Sequence, residues 1–161
     1  MEFEEKLAKL AKINKDRSDQ LERNKNIWIQ EVNNLYKNIG NWFAEYIKKG
    51  YMSVDYDNLQ VAECEEFLMN TQIMRLNLGG EQGPSVIFEP TGINIVGAMG
   101  KIDLYYRGHK DEGVFLLLFE NGEKFHWEIW KSRKQQEDIM KFNEETLKKM
   151  IDEWLEKWIE I

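Results

Sequence analysis

Asp103 sits in the run Ile102-Asp103-Leu104-Tyr105-Tyr106-Arg107, and Glu128 and Lys131 follow further along. An Asp on one strand with a Glu and a Lys on a nearby one is the layout of metal-dependent nucleases and hydrolases. There, two carboxylates hold the cation and the ammonium steadies water or phosphate. The spacing here is Glu-x-x-Lys, which puts the two side chains on opposite faces of a strand. On a strand, Asp103, Tyr105 and Arg107 share one face, and a pair between Asp103 and Lys101 or Arg107 is the simpler expectation.

Other chemistry is thinly supplied. There are two histidines, His109 in a polar turn and His126 in mid-strand, and one cysteine, Cys64. Cys64 stands between Glu63 and Glu65, whose charges disfavour a thiolate. These three residues do not furnish a four-ligand zinc site without carboxylates. Gly97-Ala98-Met99-Gly100-Lys101 has the look of a phosphate loop, but Ile95 and Ile102 stand where such a loop needs Gly and Ser or Thr. A tight connection between strands accounts for these glycines better. Asp55-Tyr56-Asp57-Asn58 opens like a calcium loop and Glu66 falls at the twelfth position, yet the sixth is Gln60, not Gly. Neither a metal nor a cofactor is expected.

Charge is more informative. The 161 residues carry a net charge of -7 from 22 basic and 29 acidic side chains. Residues 51–100 hold one cation, Arg75, against seven acids. Phosphate neutralisation supplies most nucleic-acid affinity, and the nearest basic group, Lys131, Arg133 and Lys134, is followed at once by Glu137 and Asp138. A basic protein is the better partner for Asp55, Asp57, Glu63, Glu65 and Glu66. Trp130 falls on the strand face opposite Phe125, Trp127 and Ile129, and is an interface anchor if the helices leave that face bare. Cover by the N-terminal helix is the simpler expectation.

The elements behind these residues read as an α+β domain over residues 1–161: helix, antiparallel β-meander, helix. Phe3, Leu7, Leu10, Leu21, Trp28, Val32, Leu35, Ile39 and Trp42 set a helical stripe over residues 3–48. The stripe thins between Asn14 and Asn26. Residues 1–26 are therefore either a separate helical arm or part of one unbroken helix with the core segment 27–49. An unbroken helix projects, and its stripe then points to a second copy. Residues 51–131 carry the turn signals of an antiparallel sheet, with runs at Met52–Tyr56, Leu59–Glu63, Gln72–Leu78, Val86–Glu89, Ile93–Met99, Lys101–Arg107, Val114–Phe119 and Lys124–Trp130. A two-residue turn at Asn121-Gly122 pairs Leu118 with Phe125 and Leu116 with Trp127 on an apolar face. The other face is half apolar, so cover on both sides is expected. Asn143 caps an amphipathic helix over 143–160, with Leu147, Met150, Ile151, Trp154, Leu155 and Trp158 on one stripe packed on the sheet.

The stretch Glu89-Pro90-Thr91-Gly92-Ile93-Asn94-Ile95-Val96-Gly97-Ala98-Met99-Gly100-Lys101-Ile102-Asp103-Leu104 resembles a segment of small bacterial proteins in which a Trp-bearing helix precedes a meander. That resemblance implies a stand-alone bacterial domain and carries no activity with it. With one cysteine, no apolar run of membrane-spanning length and an acidic start, the expected setting is cytoplasmic, without a membrane partner. The expected role is a protein-interaction domain of inhibitor, immunity or adaptor type. The competing roles are a metal-dependent hydrolase using Asp103 with Glu128, and a small-ligand binder with a pocket between sheet and helix.

Overall fold

The structure is a computed structural model that describes residues 2–58, 71–80, 82–93, 97–131 and 139–159. Residues 3–42 contain no proline and a single glycine, so no strong helix breaker falls in the stretch where the apolar stripe thins. Helix α1 accordingly runs unbroken over Phe3–Trp42, 40 residues and about 60 Å. It buries Trp28, Val32, Leu35, Tyr36 and Ile39, whereas residues 2–23 are exposed throughout. Of the two arrangements open to the arm, the projecting one is observed. A break at Phe43 separates the short α2 (Ala44–Lys48), and Gly50, at φ +78°, turns the chain into the sheet.

The seven described strands are β1 (Met52–Asn58), β2 (Gln72–Leu78), β3 (Ser85–Ile93), β4 (Gly100–Tyr106), β5 (Val114–Asn121), β6 (Lys124–Trp130) and β7 (Ile139–Lys141). Their spatial order is their chain order and every pairing is antiparallel, so the sheet is a meander. A single 3-10 turn, Lys110–Glu112, joins β4 to β5. Helix α3 (Glu144–Ile159) closes the chain. Its cap is reciprocal: the Thr146 N–H donates to Asn143 Oδ1 at 2.9 Å, and the Asn143 N–H donates to Thr146 Oγ1 at 3.0 Å.

Trp28, Val32 and Ile39 of α1, Met74, Leu76, Phe88, Ile102, Leu104, Leu116, Leu118 and Ile129 of the sheet, and Leu147 and Trp154 of α3 form one apolar cluster. Both helices therefore pack on the same face. The expectation that the two sheet faces would each receive a helix is corrected. The inner face presents apolar side chains on every strand from β1, with Val54, to β6, with Ile129. It offers both amphipathic stripes more apolar area than the mixed outer face can.

Three further expectations change. The β5–β6 turn is Gly122-Glu123, not Asn121-Gly122: Asn121 pairs with Lys124, Leu118 with Trp127 and Leu116 with Ile129. The slip is two residues, so each side chain keeps its face and only its partner changes. Pro90-Thr91-Gly92 is not a turn: β3 continues through it to Ile93, absorbing the proline at an irregularity between Pro90 and Gly92. Met99 and Gly97 belong to the connection before β4 rather than to a strand over Ile93–Met99. The run Leu59–Glu63 lies outside the described residues.

Candidate functional site

The outer sheet face gathers most of the residues singled out above. Cross-strand pairing aligns Glu89, Asp103, Phe115, Trp130 and Ile139 in one row across β3 to β7. A second row holds Asp55, Arg75, Ile87 and Tyr105. Asp103 and Trp130 are thus two strands apart, about 9.5 Å, with Phe115 between them. Glu128 lies opposite Leu117, which is opposite Lys101, one row away. The carboxylate that faces Asp103 is Glu89, which sequence spacing did not single out. Only the β3–β4 register reveals it.

Around this carboxylate pair the polar groups are densely linked. Tyr105 Oη donates to Glu89 Oε2 at 2.7 Å. Burial, then the hydrogen bond to Glu89 and the charges of Glu89 and Asp103, push the phenol well above its ordinary range. Lys101 Nζ approaches Asp103 Oδ1 at 3.3 Å and also lies 4.6 Å from the centre of the Phe115 ring. Lys110 reaches over the face from the 3-10 turn to within 3.6 Å of Glu89 and 3.9 Å of Asp103. Asp103, Tyr105, Lys110, Phe115 and Lys131 line a cleft of about 330 Å³. The expected Asp103–Lys101 pair is present. Arg107 is in the turn after β4, where its N–H donates to Ser85 O at 2.8 Å, and its side chain is exposed.

The second linked group sits at the β5–β6 hairpin. The Asn121 amide lies 2.9 Å from His126 Nδ1, and His126 Nε2 lies 2.7 Å from Glu128 Oε2. With Nδ1 accepting from the amide, Nε2 carries the proton and donates to Glu128. Neither ring nitrogen is left to act as a general base. Trp130 Nε1 donates to the other Glu128 oxygen at 3.2 Å, and Phe119 stacks between His126 and Trp130 at 5.5 and 6.0 Å. The N-terminal helix does not cover Trp130. It packs on the opposite face because its own stripe finds Trp127 and Gly100 there.

At the far edge, Asp55 and Asp57 are exposed on β1. Asp55 accepts from Asn77 Nδ2 at 2.7 Å, and Asp57 pairs with Arg75 at 3.0 Å. The Asp55–Asn58 run is extended strand, not the start of a cation-binding loop. Glu63, Glu65, Glu66 and Cys64 lie outside the described residues. No group of three His, Cys, Asp or Glu able to hold a metal occurs among the described residues. Acid is concentrated at the β1 edge, whereas Lys101, Lys110, Lys124 and Lys141 balance Glu89, Asp103 and Glu128 toward β7.

No protein-family model, curated protein or solved structure matches this chain. The glycine-rich stretch has a packing role: a Cβ on Gly100 would lie 2.3 Å from the Trp28 ring, so Gly100 is the slot into which Trp28 fits. No helix among the described residues is long and apolar enough to cross a membrane.

Proposed function

We propose that this chain is a cytoplasmic protein-interaction domain of inhibitor, immunity or adaptor type, and that the outer sheet face receives the partner. One observation carries the reading. Among the described residues, the two long helices α1 and α3 lie on the inner face, and Phe115, Phe119 and Trp130 are half-buried on the outer one, with exposed Asp55 and Asp57 at its edge. Aromatic anchors beside a charged rim suit protein recognition. The acid-rich β1 edge favours a partner with basic side chains there.

The test is capture from host lysate with nuclease present, comparing the wild-type chain with Trp130→Ala and with Asp55→Lys plus Asp57→Lys. Support is one stoichiometric protein, lost by both variants while their melting curves stay cooperative. Retention of that protein by both variants sinks the assignment of this face. No capture at all sinks the interaction reading.

A specific observation also favours a small-ligand reading. Phe43, Tyr46, Tyr51, Met52, Leu78 and Leu155 line an open, mainly apolar groove of about 640 Å³ between α2, the β1–β2 edge and α3. That is within the range of small-molecule sites. A screen of apolar and aromatic small molecules by thermal shift, repeated on Leu155→Glu, separates the two readings. A shift lost in that variant favours the groove.

A further inference from the structure

Strand β1 ends the sheet: β2 pairs with one of its edges, and among the described residues no strand pairs with the other. Two hydrogen bonds fix which backbone groups face that open edge. Gly79 donates its N–H to Tyr51 O at 2.8 Å, so Tyr51 bonds toward β2. Leu78, opposite Met52, instead donates to Pro84 O at 2.8 Å, toward β3. Bonding alternates along an antiparallel ladder, so Ser53, Asp55 and Asp57 bond to β2, while Val54 and Tyr56 turn their N–H and C=O outward. No hydrogen bond from the described residues reaches those outward groups. Sheet edges are commonly blunted by shortness, lysine, proline or a bulge. At the other end of the sheet, β7 has three residues and carries Lys141. Strand β1 has seven, with no proline, no lysine and an unbroken register.

We infer that β1 receives an extended strand of the partner protein, one that places Lys or Arg beside Asp55 and apolar side chains beside Val54 and Tyr56. The proposal rests on the protein-interaction reading and names the form that partner takes. Outward N–H and C=O groups at strand spacing match the backbone of another strand. The side chains set its sequence. On the outer face, Arg75 holds both oxygens of Asp57, at 3.0 and 3.3 Å. Asp55 has only Oδ2 engaged among the described residues, by Asn77 at 2.7 Å, so Asp55 is the charge a basic side chain meets. On the inner face, Val54 packs at the rim of the core, and Tyr56 is 47% exposed with its ring 6.0 Å from that of Tyr36. An apolar neighbour there extends the core. A second copy is the poorer occupant: pairing β1 with itself, antiparallel about its middle, sets Asp55 against Asp55 or Asp57.

The experiment is amide exchange of the full chain, read by NMR, with a capped peptide of alternating lysine and valine as the probe. In the free chain Val54 and Tyr56 should exchange fast and Asp55 slowly. Saturating peptide should slow Val54 and Tyr56 about tenfold or more and leave Asp55 little changed. The same peptide methylated at every backbone nitrogen should protect neither. Asp55→Lys should weaken binding about threefold to tenfold, and a peptide of alternating glutamate and valine should then bind that variant better. Slow exchange at Val54 and Tyr56 in the free chain overturns the proposal, because the edge is then already covered. So does a lysine peptide that leaves them unprotected at millimolar concentration, or a methylated peptide that protects them equally. Equal binding of the lysine and glutamate peptides to the wild type overturns the basic character of the strand. Val54→Pro removes an outward N–H and no bond to β2, and its melting curve checks that the fold is kept. In lysate capture, a partner lost by Trp130→Ala but retained by Val54→Pro overturns the edge and leaves the interaction reading standing. No captured partner together with no peptide protection overturns both.

Discussion

Glu89 and Asp103 are directly opposed across β3 and β4, which places two carboxylates side by side on the outer sheet face. Like charges opposed on a sheet repel, and Asp103 is almost entirely buried. The cations beside them offset this, Lys101 at 3.3 Å and Lys110 at 3.6 to 3.9 Å. They are unequal. Lys101 is itself mostly buried, whereas Lys110 is 59% exposed. Lys101→Met should cost about 1–3 kcal/mol by leaving a buried carboxylate without its nearest cation. Lys110→Ala should cost less than about 1 kcal/mol, as exposed pairs do. Denaturant midpoints of the two variants check the ranking, and equal midpoints would contradict it.

The same pair bears on divalent-cation chemistry. Lys110 already lies near both Glu89 and Asp103, and Lys101 lies against Asp103. Glu128 is engaged by His126 and Trp130. Titration with Mg²⁺ or Mn²⁺ should therefore leave the melting temperature unchanged in the wild type. A rise that disappears in Asp103→Asn would reverse this reading and restore the hydrolase.

Gly100 and Gly97 separate packing from backbone strain. A methyl group at Gly100 meets the buried ring of Trp28 at 2.3 Å, and neither the ring nor the strand behind it has room to shift. Gly100→Ala should cost about 1–3 kcal/mol through overpacking. At Gly97 the added group meets open space, but φ is +83°, so Gly97→Ala should cost about 1–2 kcal/mol through conformation alone. Trp28→Leu, which empties the slot, should make Gly100→Ala less costly while leaving the Gly97→Ala cost unchanged. A double-mutant cycle reads that difference.

These residues also show where sequence is informative. Alternation along β5 and β6 assigns every side chain to its face, because a face is a property of period two. It does not place the turn: a slip of two residues preserves the pattern, and Gly122 serves as well at the first turn position as at the second. Glu89 was not legible because its role depends on a cross-strand partner 14 residues away, joined through an irregular connection that begins within β3. Pro90 and Gly92 read as a turn because a strand rarely carries both. Strand β7 has three residues, Ile139–Lys141, too few for a period to register. The helix stripes were plain, but amphipathicity names the face a helix buries, not the sheet face it meets. That choice follows from the inner row being more apolar than the outer.

The Tyr106–Glu112 contact predicts a pH response. Tyr106 Oη donates to the Glu112 carboxylate, and His109 stacks on Tyr106 at 4.4 Å. That hydrogen bond, helped by Lys157 and His109, lowers the Glu112 pKa below its ordinary 4.5. The same bond, with burial and the charges of Glu112 and Asp111, pushes the phenol up to about 12. A depressed carboxylate stabilises the fold above its unfolded pKa and loses that contribution as pH falls through the folded value. A raised phenol stabilises below its ordinary 10.0 and loses that contribution as pH rises through about 12. The contact is thus intact across neutral pH and opens at both extremes. In Tyr106→Phe the Glu112 midpoint, followed by carboxyl NMR, should rise back toward 4.5. An unmoved midpoint would assign the shift to Lys157 and His109 instead.

Along α1, burial predicts a gradient of protection. Residues 2–23 touch little of the body, whereas Trp28, Val32 and Ile39 are fully buried. Amides in the arm open by local fraying, because few contacts oppose it, whereas those of the core segment open only with the sheet. In dilute solution, exchange should be fast through about residue 20 and slow from Val32 to Ile39, despite one continuous helix. The Arg23–Glu120 pair sets the boundary, so Glu120→Ala should move it toward Trp28. Uniform protection along α1 would mean that the arm is held by something other than its own weak helicity.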